Sequence, residues 1–203
     1  AQQPGYPSGS YDKRPSTEQA EEAVRVLLGW IGEDPQRKGL RRTPMRVLKS
    51  FGDWYAGYNE DPAAMLGSSF PDAEGYQDMV VLTDIDFESH CEHHMAPIIG
   101  VAHVAYVPND RVVGISKLVR VVNAFSKRLQ VQEKLTQQIA DCINVELKPK
   151  GVAVVLEARH ECMTTRGVYK NNIKMVTSTM LGCFRDEERV RSEFLKLIGG
   201  MSR

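Results

Sequence analysis

The stretch Met79-Val80-Val81-Leu82-Thr83-Asp84-Ile85-Asp86-Phe87 decides how the chain is read. Val81, Thr83, Ile85 and Phe87 alternate with Leu82, Asp84 and Asp86, and a period of two predicts a half-buried strand. Upstream of it the period is helical. Ser16 and Gln19 have capping-box spacing, and Ala20, Ala23, Val24, Leu27, Leu28 and Ile31 follow on one helical face. That predicts an amphipathic helix from about Thr17 to Ile31, stopped by Gly32 and Pro35. Thr43-Pro44 reads as an N-cap and first helical residue. Val47, Leu48, Phe51, Trp54 and Tyr55 then give a second helix to about Gly57. Pro62, Gly67, Pro71 and Gly75 mark a connector with room for one short helix.

Downstream, Gly100 to Val107 predicts a second strand, stopped by the turn signature Pro108-Asn109-Asp110. Ser116 to about Gln130 returns to helical spacing, with Leu118, Val119, Val122 and Phe125 inward. Leu135, Ile139, Cys142 and Ile143 mark another helix, ended before Pro149-Lys150-Gly151. Val152 to Glu157 and Met175 to Leu181 are two more strands, rich in Val and Thr. Val190, Phe194, Leu197 and Ile198 form a closing helix. Two hairpin-like strand pairs with segregated helices argue an α+β fold with a mainly antiparallel sheet.

The 203 residues leave room for one domain of typical size plus an extension. Apolar residues make up 42 %, which excludes wholesale disorder. Lys plus Arg is 26 and Asp plus Glu is 26, so a globally basic nucleic-acid binder is disfavoured. The balance hides an asymmetry. Residues 50–110 carry no Lys or Arg against eleven acidic residues, while the flanking segments are positive. No apolar run approaches the roughly 18 residues that span a bilayer. Ala1 to Ser16 is polar, with Pro4, Gly5, Pro7, Gly9 and Pro15, and lacks the apolar centre of a secretory signal. It reads as a flexible leader (1–16), ahead of a helical region (17–76) and the strand-bearing α+β domain (77–203). Four cysteines are too sparse for a disulfide scaffold, so a cytoplasmic protein with reduced thiols is the expectation.

The five histidines are concentrated: three lie in Ser89-His90-Cys91-Glu92-His93-His94 and a fourth in His160-Glu161-Cys162. Imidazole and thiolate are the donors zinc prefers. Cys91 and His94 are spaced so that one tight turn can aim both at an ion, and Cys162 offers a third ligand from a strand end. Three protein ligands leave a position for water, which favours a catalytic over a structural site. Zinc lowers the pKa of bound water to about 7. His93 and His160 are then spare imidazoles suited to proton transfer. Cys142 and Cys183 lie in apolar patterns and read as core. Lys117 and Arg120 sit three apart at a helix start, Arg166 follows the Cys162 cluster, and Arg46 lies on the second helix. Together they suit an anion such as phosphate. Neither a Walker nor a dinucleotide glycine motif occurs, so side chains would hold the phosphates.

These blocks resemble GTP cyclohydrolase I of the zinc-dependent type. The resemblance is carried by Gly39-Leu40 with Thr43-Pro44 and Arg46-Val47; Cys91-Glu92-His93-His94 with Pro97 and Gly100; Ala105-Tyr106 with Pro108; Gly114 to Lys117; Gln130 to Leu135 with Gln137-Gln138-Ile139; and His160-Glu161-Cys162-Met163 with Arg166-Gly167-Val168. It spans about residues 17–198. It implies the tunnelling fold: a four-stranded antiparallel sheet with helices on one side and an N-terminal helical extension. Such sheets join between subunits into a barrel within a toroidal homodecamer, with active sites between subunits. The resemblance puts the zinc ligands on Cys91, His94 and Cys162 and the acid–base histidines on His93 and His160. Glu133, with Gln132 beside it, becomes the guanine anchor, and Ser116 the residue near the ribose. Lys117, Arg120, Arg166 and Arg46 become the triphosphate ligands. The implied reaction is hydrolysis of GTP to formate and 7,8-dihydroneopterin triphosphate. The alternatives are another tunnelling-fold pterin or purine enzyme, or a non-catalytic zinc-binding paralogue. Arg41-Arg42, His90 and Arg159 depart from the family pattern without replacing a matched ligand.

Overall fold

The computed structural model describes residues 14–67, 76 and 78–199. The leader expected over 1–16 falls almost wholly outside them. Three helices come first: α1 (Thr17–Trp30), α2 (Thr43–Trp54) and, after a 3-10 turn at Ala56–Asn59, α3 (Pro62–Leu66). The capping box forms as the sequence predicts. The Ser16 hydroxyl accepts from the Gln19 amide, and the Gln19 side chain accepts from the Ser16 amide. Thr43 lies inside α2 rather than capping it; Arg42 occupies the cap position with no side-chain hydrogen bond, and Pro44 sits in the first turn.

The sheet follows: β1 (Val80–Cys91), β2 (Pro97–Val107), β3 (Leu129–Gln130), β4 (Gly151–His160) and β5 (Met175–Gly182). Its order is β3-β1-β2-β4-β5. The long pairs are antiparallel, but β3 runs parallel to β1 through His90–Leu129 and Cys91–Gln130. The expected four-stranded antiparallel sheet is therefore a five-stranded mixed one. The reason lies at the end of α4 (Ile115–Ser126). The helix does not reach Gln130, because Arg128 folds back: its Nε donates to the carbonyls of Ala124 and Gly57, at 2.9 and 3.1 Å, and its Nη2 to that of Glu60. Two residues are then free to pair with β1. Gly57 is required at this junction. Its amide donates to the Lys127 carbonyl at 3.1 Å, and a Cβ there would run into the α4 backbone.

The core lies between one sheet face and the helices α4 and α5 (Gln132–Leu147). Ile85, Phe87 and Cys91 of β1 and Val152, Val154, Leu156 and Ala158 of β4 point there, as residues two apart must. Leu118, Val122, Phe125, Leu135, Ile139 and Cys142 answer them, each 0 % exposed. The expectation of helices on one side only is also corrected. On the opposite face Ala105, Ala153 and Val155 are covered by Phe184 and by Phe194 and Ile198, from α7 (Cys183–Asp186) and α8 (Glu188–Gly199). β4 is apolar on both faces at that end, so one helical layer cannot bury it. Cys183 packs against this second cluster. His103 is spent structurally: its Nδ1 accepts from the Asp84 amide at 3.2 Å, inside a bulge of β1 where Asp84 has φ of 55°.

Among the described residues, no helix is long and apolar enough to cross a membrane.

Candidate metal centre

Register brings the chemistry to one end of the sheet. His90 pairs with Pro97, and the next residue of β2, Ile98, pairs with His160. The ends of β1 and β4 thus lie on either side of the start of β2, pointing the same way. β3 pairs at that same end of β1 and leads directly into α5. Three chain segments converge on one spot although they lie far apart in sequence.

The first segment is the turn after β1. The Cys91 carbonyl accepts from the Met95 amide at 2.8 Å, and the Cys91 amide donates to the Ala96 carbonyl at 2.8 Å. The Glu92 amide donates to the Gln130 carbonyl, tying the turn to β3. Met95 closes it with a left-handed φ of 54°. The second segment is the β4–α6 junction, where α6 (Glu161–Thr164) follows His160 directly and Cys162 packs against the core. Together they place a ligand atom of each of Cys91, His94 and Cys162 within 4.8 Å of the others.

The donor set fits a metal of the zinc type. Cys91 Sγ and His94 Nδ1 are 3.8 Å apart. Ligands at the usual zinc–sulfur and zinc–nitrogen distances, about 2.3 and 2.0 Å, lie roughly 3.5 Å apart at tetrahedral angles. Burial pushes the Cys162 thiol above its ordinary pKa, and the neighbouring Cys91 adds to that. Two thiols side by side resist double ionisation, and a divalent cation reverses that preference. Three ligands also leave one tetrahedral position for water or substrate.

Beside this trio the third segment holds a histidine. Gln132, 0 % exposed in the first turn of α5, places the two hydrogens of its Nε2 among three acceptors, the carbonyls of Leu156 and Met175 and Thr177 Oγ1. Its Oε1 is thereby the acceptor that meets His160 Nε2 at 2.8 Å. His160 therefore carries its proton on Nε2 and keeps Nδ1 as a free base. Burial lowers the His160 pKa, while the Glu133 carboxylate pulls the other way. Thr136 braces the arrangement, donating to the Gln132 carbonyl at 2.7 Å and lying 2.6 Å from Thr177. His93 is much more open, with 65 % of its side chain exposed, and its Nδ1 lies 3.6 Å from Cys91 Sγ.

The structure thus gathers Cys91, His93, His94, Cys162, His160 and Gln132, with the Glu133 charge felt at His160. Arg166 also arrives, exposed, with its Nη1 2.7 Å from His94 Nε2. Ser116 and Arg120 are exposed on the first turns of α4, where Lys117 is half-buried. Arg46 is exposed on α2. Among the described residues, Ser116, Arg120 and Arg46 make no hydrogen bond to the cluster. The part of Gln132 as the brace of His160, with Thr136 and Thr177 behind it, was not visible in the sequence. Its only signal there was an amide in a helix start next to Glu133.

A family model described as GTP cyclohydrolase I matches residues 20–199. The chain belongs to that family. Curated relatives named "GTP cyclohydrolase 1" include one from Maricaulis maris, 52 % identical over 94 % of this chain and 93 % of that protein. One from Pelagibacter ubique is 53 % identical over 92 % of each. One from Brucella suis is 52 % identical over 92 % of this chain and 87 % of its own length. A solved structure of the apo archaeosine synthase QueF-Like aligns with a TM-score of 0.43 at 18 % identity. It covers 51 % of this chain and 93 % of that one, and is too distant to add to the argument. The GTP cyclohydrolase I match takes in both metal-ligand segments and the start of α5.

Proposed function

We propose that the chain is a zinc-dependent GTP cyclohydrolase I, converting GTP and water to formate and 7,8-dihydroneopterin triphosphate. The observation that carries this is the Cys91–His94–Cys162 trio within 4.8 Å, with His160 held in one tautomer beside it by Gln132, in a chain of this family. Zinc held by that trio supplies Lewis-acid activation of a water molecule at neutral pH.

The remaining parts belong to the protein's own side chains. Glu133, exposed at the start of α5, accepts two hydrogen bonds from the amide and amino groups of guanine and presents carbon 8 to the metal end. His160 takes or returns a proton at Nδ1 as the imidazole ring of the purine opens, while Gln132 holds its Nε2–H. His93, open to solvent, exchanges protons between the site and water. A second hydrolysis releases formate. Ser116 assists at the ribose as that ring opens and rearranges before the final closure. Lys117, Arg120, Arg166 and Arg46 hold the triphosphate. Because that contact is uniform through the reaction, it acts on KM more than on kcat.

The reading places active sites between subunits of a homodecamer, in line with Ser116, Arg120 and Arg46 making no hydrogen bond to the cluster among the described residues. Two features support assembly. β5 is an eight-residue edge strand, and such edges are normally paired or covered. α1 buries no residue, and Trp30 is 82 % exposed. In this reading residues 17–76 are the helical extension, 77–203 the catalytic domain, and the enzyme is cytoplasmic. The test is direct: zinc-loaded protein is mixed with GTP, and formate and a pterin that fluoresces after oxidation are measured. Zinc-loaded protein yielding neither product is instead a non-catalytic paralogue.

A further inference from the structure

His90 departs from the family pattern and has no place in the chemistry above. Its neighbour Cys91 faces the core, so by strand alternation His90 points to the other side of β1 and away from the metal ligands. It is nevertheless only 4 % exposed. Its imidazole lies 5.0 Å from the Trp54 ring and 5.2 Å from the Tyr55 ring, at the end of α2. Phe51 completes the cluster, 6.1 Å from Trp54 and 5.3 Å from Tyr55. Neither His90 Nδ1 nor Tyr55 Oη has a hydrogen-bond partner among the described residues. Ring packing alone makes this contact.

A second contact lies at the other end of the same turn. Met95 lines an apolar groove of about 520 Å³ between α1 and α2, together with Leu28, Ile31, Leu48 and Phe51. His90 and Met95 bracket the turn that carries Cys91 and His94; His90 packs on the end of α2, and Met95, 45 % exposed, borders the groove between α1 and α2. No backbone hydrogen bond joins that pair to residues 90–96 among the described residues. Just beyond α2 the chain is fixed to the other side of the site. Tyr58 Oη accepts from the Leu129 amide at 3.1 Å, and the Gly57 amide donates to Lys127. The end of α2 is therefore anchored next to β3 and meets the ligand turn through His90, with Met95 at the edge of the α1–α2 groove.

We propose that His90 and Met95 are positioning residues that couple the α1–α2 pair to the metal-ligand turn, so that packing on this pair sets how firmly the metal is held. The inference rests on the metal-centre reading above. Its consequence is that an event at α1 and α2 reaches Cys91 and His94 with no group from the helices touching the metal.

The experiment uses the full-length chain loaded with zinc. Zinc release to a chromogenic chelator is timed for the wild type, His90→Ala, His90→Phe and Met95→Ala, with thermal melting and hydrogen exchange alongside. His90→Ala and Met95→Ala are each expected to release zinc about 10- to 100-fold faster, the usual effect of removing support behind a ligand. Amide exchange in residues 91–96 should quicken, with β4 unchanged. His90→Phe keeps a ring between Trp54 and Tyr55 and is expected to release zinc near the wild-type rate. Wild-type release from both alanine variants overturns the coupling. So does His90→Phe failing as His90→Ala does while melting normally, since stacking is then not the cause. If His90→Ala does not fold, Met95→Ala and His90→Phe decide the matter. A wild type that binds no zinc overturns the metal-centre reading, and the coupling with it.

Discussion

His160 and Cys162 follow a strand whose first six residues are buried, whereas Cys91, itself buried at the end of β1, leads into a turn whose His93 and His94 are open to water. In β4, Gly151 through Leu156 are all buried. At its end His160 is held by a glutamine whose amide group is fully used. In the turn, residues 92–95 are all exposed. Their conformation comes from a few backbone hydrogen bonds and from His90 and Met95 at the flanks. The contrast teaches a division of labour. The β4 arm holds His160 in one tautomer through Gln132, with the half-buried Cys162 beside it. The turn arm carries the buried Cys91 thiol and two exposed imidazoles, which in the proposed function adjust to a metal and exchange protons with solvent.

In the proposed function both arms hold the metal, so the largest effect is expected from removing either thiol. Cys91→Ser and Cys162→Ser are each expected to reduce zinc, read by metal analysis of dialysed protein, from one per chain to trace, with formate production lost in parallel. Retention of zinc by one variant and not the other would make that arm dispensable and break the symmetry. Next, the arms should differ in proton transfer. His160→Gln is expected to lower kcat by about 10² to 10⁴-fold with zinc retained, the usual range for a positioned acid–base group. His93→Gln should fall at the lower end of that range, because water can reach its place. Steady-state kinetics with metal-quantified protein checks both.

Smaller effects sharpen the comparison. Glu133→Gln removes a charged acceptor from guanine and is expected to raise the KM for GTP by roughly 10- to 150-fold, corresponding to about 1.5–3 kcal/mol. Gln132→Leu leaves the buried His160 Nε2–H without its acceptor. That is expected to lower kcat by roughly 5- to 150-fold, about 1–3 kcal/mol, with the KM for GTP near wild type. A rise in KM with kcat preserved would instead return Gln132 to the substrate-binding role that the resemblance implies.

What was legible in the sequence follows the same division. α1 announced itself through Ser16, Gln19 and an apolar stripe, and its capping box is present. β1 announced itself through the alternation of Val81, Thr83, Ile85 and Phe87. The Cys91, His94 and Cys162 grouping could be read because Cys and His are rare in the chain and their spacing matches a ligand set. What escaped has local physical causes. β3 is two residues long and shows no period. The end of α4 is set by Arg128 reaching back to Gly57, a contact 71 residues distant. The helices over the second sheet face were missed because the apolar run of β4 does not say which face each residue needs covered. The brace on His160 depends on register: β3 pairs with β1 and leads into α5, whose first residue bonds β4 and β5. His90 stood out in the sequence only as a departure, and the rings of α2 give it a partner.

The central claim is that hydrolysis of GTP depends on one metal held by Cys91, His94 and Cys162. Metal-depleted protein, titrated with zinc while formate release from GTP is followed, tests it most directly. Activity should rise in proportion to added zinc and level off at one ion per chain. Formate release that is complete in metal-depleted protein, or absent at one zinc per chain, would contradict it.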